Sequence, residues 1–337
     1  MNTPTAGLTL GYRPLAQLED GQETLLGGFC FDQTVPNPWP FLAIGTPLLG
    51  DGVELCEYWR LSTAARTGCR GPIDYRWNES LLFGRLSLDE SSFQGGENAR
   101  PPLQQATFQA YRAIFGLIQT LEFSHLLRFW NYFPRINQIS HGLERYRQFN
   151  WGRHEAFLSD HRAVTGEVPA ACALGCRAEG LNIAFLASHT PPQAIENPRQ
   201  ISAYHYPNQY GPCSPTFSRA CLARLGDQNL LLISGTASIV GHQTLHRGDV
   251  LAQTREALAN IEAVLSVVNR QIHPGYQPDD LYYKIYLRHP GDDERIRPTV
   301  TRFTGGSSHL IYLQADICRD DLLIEIEASG VLPRALT

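Results

Sequence analysis

The sequence predicts an α+β fold made of one α/β unit written twice, each copy a mixed sheet with helices packed on one face. Three observations predict it. First, two stretches share one helical spacing: Tyr111, Ile114, Ile118 and Leu121, then Leu258, Ile261, Leu265 and Val268, all at steps of three and four. Second, strand-like flanks recur in the same order around both stretches, near 150 residues apart. Third, 43 % hydrophobic and 18 % charged residues match a globular chain rather than a disordered or fibrous one.

Each element has its counterpart. Before the helices run SLLFGRLSL, containing Gly84, and LLLISGTAS, containing Gly235. After them come RFWNYFP from Arg128 and KIYLRHP from Lys284, aromatic-rich and ended by proline. Each half closes on a Cys-Arg pair leading into a strand, CRAEGLNIAFLAS from Cys176 and CRDDLLIEIEAS from Cys318. The unit reads strand–strand–helix–strand–(helix)–strand. Asp249 in RGDVLAQT stands as N-cap of the second helix. The proline-rich stretch His189 to Gln200 reads as the linker, dividing the chain into units at 1–190 and 191–337.

Composition removes several function classes. A net charge of -5 disfavours nucleic acid and anionic membrane surfaces as partners. Arginine still dominates the basic residues, so a local anion pocket stays open. No apolar run approaches the roughly 18 residues of a membrane span. The segment MNTPTAGLTLGYRP lacks the basic and apolar regions of a secretory signal, so a cytoplasmic protein is expected. The eight cysteines (Cys30, Cys56, Cys69, Cys172, Cys176, Cys213, Cys221, Cys318) are then expected as reduced thiols. Cys172 and Cys176 have no matching second pair, so no metal site is expected. Phosphate loops, a G-x-G-x-x-G turn, H-E-x-x-H and G-x-S-x-G are all missing, which disfavours phosphoryl transfer and dinucleotide chemistry.

Chemistry is sought where the copies differ. The last strand of copy one, NIAFLAS, is apolar apart from Asn182, whereas copy two reads LIEIEAS. Glu325 and Glu327 share one face of that strand, opposite Leu322, Ile324 and Ile326. If the sheet is central, at least one carboxyl is held in semi-apolar surroundings that raise its pKa, as a general acid requires. The alternative is a solvated outer face. The segment AYHYPNQYGPCSPTFSRA, residues 203–220, has neither helical nor strand period and reads as a site-lining or surface loop. FNWGRHEAF reads as a further irregular stretch, in which Arg153 is a candidate carboxylate clamp or a surface ion pair. The histidines have no ligand-like or triad-like spacing.

These residues carry two resemblances. SGTASIVGHQTLHRGDVLAQTREALANIEAVL with LIEIEASG resembles the reactive-intermediate deaminase (YjgF-like) family, which implies two deaminase-like units and a ligand cleft at the first glutamate of E-I-E-A, here Glu325. GPIDYRW, LRFWNYFPRIN, FNWGRHEAF, YHYPNQYGPCSPTFSRA, SGTAS, KIYLRHP and CRDDLLIEIEA together resemble the chorismatase family. That resemblance implies an enzyme releasing pyruvate from chorismate, with no metal or organic cofactor. Glu325 would protonate the enolpyruvyl methylene. Family members carry Cys or Ala seven residues before this acid, and 318 plus 7 is 325, so Cys318 is implied beside it. The cysteine form resembles the branch giving 3-hydroxybenzoate. Ala237 in SGTAS also fits the hydrolytic branch, so the dihydroxycyclohexadiene carboxylate stays open, as does a third branch yielding both 3- and 4-hydroxybenzoate. Tyr75, Arg153, Tyr210, Cys213, Arg219, Gly235, Ala237 and Arg288 are implied around the substrate, with Arg153 and Arg288 as clamps, Arg297 as the alternative to Arg288, and Tyr210 as a donor. A non-catalytic small-molecule binder and an imine hydrolase are the competing readings. Monomer and homotrimer both remain open.

Overall fold

The computed structural model describes residues 7–18, 20–31, 39–50, 55–93, 100–306 and 309–334, so part of the N-terminal segment read for a signal lies outside them. Among these residues no helix is long and apolar enough to cross a membrane. The architecture is α+β.

Strands β1 (Leu8–Pro14), β2 (Leu25–Cys30), β3 (Phe41–Ala43) and β4 (Leu55–Leu61) form a sheet ordered β1-β4-β2-β3. The next stretch holds β5 (Arg66–Arg70), β6 (Ile73–Trp77), β7 (Leu81–Leu88), α1 (Pro102–Thr120) and β8 (His125–Phe133). It continues with a short hairpin of β9 (Ile139–Ser140) and β10 (Leu143–Glu144), then α2 (Arg145–Ser159), β11 (Ala170–Gly175) and β12 (Leu181–Ser188). Its six-stranded sheet is ordered β11-β8-β12-β7-β6-β5. The last stretch holds β13 (Gln193–Ile195), β14 (Ala220–Leu225), β15 (Gln228–Ala237), the hairpin β16 (Ile239–Val240) and β17 (Gln243–Thr244), and α3 (Val250–Val268). It ends with β18 (Tyr282–Leu287), α4 (Asp293–Thr304), β19 (Leu310–Gln314) and β20 (Ile324–Pro333). Its sheet, β13-β14-β15-β20-β18-β19, repeats the order of the previous one.

The repeat holds at the level of single residues. Glu325 pairs with Tyr286 and Glu327 with Lys284, where copy one pairs Ala184 with Trp130 and Leu186 with Arg128. Asp249 caps α3, its carboxylate accepting from the Ala252 amide at 3.0 Å. Both long helices lay an apolar face on their own sheet, burying Ile114 and Ile118 in one case and Ile261 and Val264 in the other. A fully buried side chain of this kind contributes about 1.5–3 kcal/mol.

Three features differ from expectation. FNWGRHEAF is not irregular but lies within α2. Its buried face contains Gln148, Asn150 and Arg153, so the apolar period that marks a helix is missing. The linker contains an edge strand, β13, because Gln193 to Ile195 can pair with β14 despite the neighbouring prolines. Cys30 and Cys56 are not reduced; they form a disulfide. Pairing of β2 with β4 brings two residues 26 apart in sequence to a Cα separation of 4.5 Å, the spacing of a non-hydrogen-bonded pair. The six other cysteines are free.

The N-terminal sheet is a third copy, with no α-helix among its described residues. In it β4 is antiparallel to β1 and β2, and β2 is parallel to β3. The same relations hold in chain order for β7, β8, β11 and β12 and for β15, β18, β19 and β20. One apolar core is shared by all three sheets, through Phe29 and Trp59, Trp130 and Leu186, and Leu232 and Leu313. At its centre the equivalent cross-strand pairs meet: Glu57 with Phe29, Leu186 with Arg128, Glu327 with Lys284. Lys284 Nζ lies 2.6 Å from both Glu57 and Glu327, and Arg128 donates to Glu327 as well. Two basic and two acidic side chains therefore meet inside the buried core, with every sheet supplying a member.

Candidate active site

Between the second and third sheets lies a cavity of about 830 Å³, within the usual range for small-molecule sites. Its floor is Gly235, Ala237, Cys318 and Glu325. One wall is the β9–β10 hairpin with the start of α2, bringing Leu143, Glu144, Tyr146 and Arg147. The other is the 203–220 segment, which runs as two short 3-10 turns before entering β14 and contributes Tyr206, Tyr210, Phe217 and Arg219.

The floor depends on a β-bulge. Pairing of β15 with β20 slips between Ile233 and Thr236, leaving Ser234 and Gly235 outside the ladder. Ser234 ties the bulge down: its hydroxyl donates to Ser218 O at 2.6 Å and accepts from the Ala171 amide at 2.9 Å. Gly235 leaves open the volume that the Glu325 carboxyl fills, since a Cβ there would overlap Oε1.

Glu325 is 3 % exposed. Burial, then the neighbouring Glu327 carboxylate, push its pKa up to about 8, against smaller opposing effects of Arg128 and the Cys318 thiol that hydrogen-bonds to it. Glu325 is accordingly a neutral acid at pH 7. The Cys318 thiol is itself pushed up to about 12 by burial and by Glu325, so it stays protonated.

A pH-dependent stability follows. The folded chain binds the Glu325 proton more tightly than the unfolded chain, whose carboxyl titrates near 4.5. That contribution is complete below pH 4.5 and is lost as pH rises through 8. Glu325→Gln is expected to melt higher than the parent at pH 9, with the gap closing by pH 4.5. Equal gaps at both pH values in thermal melts would contradict the raised pKa.

Positive charge is concentrated at two places. Arg219 donates to Ile201 O and to the Tyr206 hydroxyl, both at 2.8 Å, and stacks on Phe217. Arg319 donates to His242 O at 2.9 Å and lies 4.0 Å over the Tyr210 ring. Arg147 and Arg247 also reach the cavity but are paired with Glu144 and Asp321. Among the described residues, Arg219 and Arg319 make no direct ion pair with a carboxylate, and the Glu196 carboxyl bears on Arg219 electrostatically and through its backbone amide.

Glu325, Cys318, Tyr210, Arg219, Gly235 and Ala237 thus come together at one cavity. Four other expected residues do not. Arg288 is spent on structure: it donates to Leu322 O, Ile317 O and Arg319 O and pairs with Asp316, holding the turn before β20. Its alternative, Arg297, pairs with Asp293 and covers Tyr312. Arg153 is buried behind the wall, donating to Asn150 and stacked on Phe149. Tyr75 packs against Trp77 in the first-copy core, and Cys213 sits on the 203–220 segment away from the lining. The Tyr210 hydroxyl is also committed, donating to His242 O at 2.7 Å, so its ring rather than its O–H serves the cavity. The residue missed from sequence is Arg319. It follows Cys318 directly, but the Cys-Arg pair occurs in both copies and there marks only the repeat; Arg177, its counterpart, binds Gln314 at the surface.

The chain is 39 % identical to the 3-hydroxybenzoate synthase of Streptomyces hygroscopicus over 88 % of its own length and 87 % of that protein's. The chain belongs to the chorismatase family. The chorismatase of Streptomyces rapamycinicus is 35 % identical over 91 % of this chain and 93 % of its own. Residues 57–187 match the family described as Chorismatase FkbO/Hyg5-like, N-terminal. A chorismatase crystal structure superposes with a TM-score of 0.84 at 29 % identity, covering 97 % of this chain and 99 % of its own. The match at 57–187 begins in β4 and ends in β12, so it takes in the first six-stranded sheet, while Glu325 lies beyond it on β20.

Proposed function

We propose that this cavity binds chorismate and releases pyruvate, giving 3-hydroxybenzoate. The observation carrying the reading is one buried, neutral carboxylic acid in a cavity also lined by Arg219 and Arg319, neither of which makes a direct ion pair. Chorismate brings two carboxylates, which suit Arg219 and Arg319. Its enolpyruvyl ether is stable until the terminal methylene carbon takes a proton. Glu325 supplies that proton, leaving a carboxylate beside the oxocarbenium ion. The neighbouring ring hydroxyl adds to the cation and gives up its proton. Loss of the ring proton at the ether-bearing carbon then cleaves the hydroxyl-bearing C–O bond and makes the ring aromatic. The freed oxyanion collapses to pyruvate and expels the phenolate, and the two released protons restore the phenol and Glu325. No water is consumed on this route. The protonated, apolar Cys318 thiol at the floor supports it by keeping water from the cation.

Ala237 supports a second outcome. It pairs directly with Glu325 across the strands and also lines the floor. If it admits water, hydrolysis gives the dihydroxycyclohexadiene carboxylate and consumes one water. Incubation with chorismate, with pyruvate read by a coupled reduction and aromatic products by chromatography, separates these outcomes. Equimolar pyruvate and 3-hydroxybenzoate are expected; bound chorismate with no pyruvate would leave only a binding protein.

The assignment of clamps gives a second test. Arg219→Met is expected to raise KM for chorismate by about 10- to 100-fold, the worth of a charged hydrogen bond, with a smaller change in kcat. An unchanged KM would remove Arg219 from the binding site.

A further inference from the structure

The buried charges at the molecular centre border the acid, and the reaction as written does not use them. We infer that Glu327 is a positioning residue of the reaction: locked as an anion by Arg128 and Lys284, it keeps the proton on Glu325. The inference rests on Glu325 being the proton donor.

The geometry is set by strand alternation. Glu325 and Glu327 share one face of β20 and stand about 7 Å apart, two residues along the strand. Every strong donor near Glu327 is aimed at it. Lys284 Nζ lies 2.6 Å from Oε1, the Tyr286 hydroxyl donates to the same oxygen at 3.0 Å, and Arg128 donates to Oε2. Burial alone would raise the Glu327 pKa, but Lys284 and then Arg128 overcome it and hold the carboxyl below its ordinary range. Glu327 therefore keeps its charge where Glu325, lacking such partners, does not.

The groups facing Glu325 are Glu327 on its own strand, Tyr286 from β18, Arg128 from β8, Cys172 from β11, Cys318 from the turn before β20, and Tyr146 from α2. Those facing Glu327 are Lys284 and Tyr286 from β18, Arg128 and Tyr132 from β8, Cys172 from β11, and Glu57 and Tyr12 from the N-terminal sheet. The hydroxyls and thiols in both sets are neutral, because burial raises the Tyr12, Tyr132, Tyr146, Tyr286, Cys172 and Cys318 pKa values. Glu327 is thus the anion bearing on Glu325, and Arg128 the cation opposing it. A like charge at this separation shifts a titration by about one to two pH units at an effective dielectric near 20. Packing alone does not demand an ion pair at this position, because the first copy fills it with Leu186, two residues from Ala184 where the acid would be.

The test is the pH dependence of kcat/KM for pyruvate release from chorismate. In Glu327→Gln the alkaline limb is expected to move down by about one to two units, cutting activity at pH 8 by about 5- to 50-fold while activity near pH 5.5 recovers toward the parent. Arg128→Met is expected to move the limb the opposite way. A purely structural role would lower activity equally at every pH, so an unmoved limb overturns the inference. Should Glu327→Gln fail to fold, Arg128→Met and the Arg128→Met/Glu327→Gln double variant, whose limb should lie near the parent's, decide it. Glu325→Gln run alongside separates the two ideas. Full activity in that variant rejects the donor itself, whereas an inactive Glu325→Gln beside an unmoved Glu327→Gln limb rejects only the role of Glu327.

Discussion

Replacing Glu325 by Gln is expected to lower pyruvate release from chorismate by about 1,000-fold or more without unfolding the protein. Gln has the shape and neutrality that Glu325 has at pH 7, so burial and the contact with Cys318 persist. What is lost is the proton for the methylene carbon. Because Arg219 and Arg319 are untouched, chorismate affinity by calorimetry should stay within a few-fold of the parent. Loss of kcat with affinity retained is the mark of an interaction made only on the way to the transition state. Unaltered turnover would sink the mechanism.

Gly235→Ala is expected to cost kcat about 100-fold with little change in KM. The new methyl would overlap the Glu325 carboxyl, which must swing aside, and displacement of a reacting group by about 1 Å carries a penalty of this order. Copy one offers the control. A Cβ at Gly84 would overlap the Phe185 ring, with no acid nearby. Gly84→Ala should therefore lower the melting temperature while sparing kcat in what remains folded. If both variants lose stability and kcat alike, the bulge has no special link to the acid.

The repeat was legible because the helices and the strands around them are strongly patterned in both halves. The acid was legible because a charged pair stood where the other copy was apolar: Ala184 against Glu325, Leu186 against Glu327. The α2 helix was not, since its inward face is built from Gln148, Asn150 and Arg153, which show no apolar period. The N-terminal sheet was missed because its described residues lack the long helices by which the repeat was found. Arg288 and Arg319 could not be ranked from sequence. Both lie near Glu325, and only the fold reveals that backbone carbonyls of the 317–322 turn occupy the first, while the second donates to His242 O and Thr244 at the cavity lining. Tyr75 and Arg153 stand in stretches that resemble the family's, yet Tyr75 packs in the first-copy core and Arg153 on Phe149, both outside the cavity lining.

The N-terminal sheet has a consequence for how such a protein can change. In a ring of identical subunits every substitution appears at all three clefts, so an acid gained at one is gained at each. Here the three equivalent positions are Leu55, Ala184 and Glu325, held in one polypeptide and free to diverge separately. Of these three positions only Glu325 is acidic, and the other two sheets can be tuned for rigidity and for the field around it.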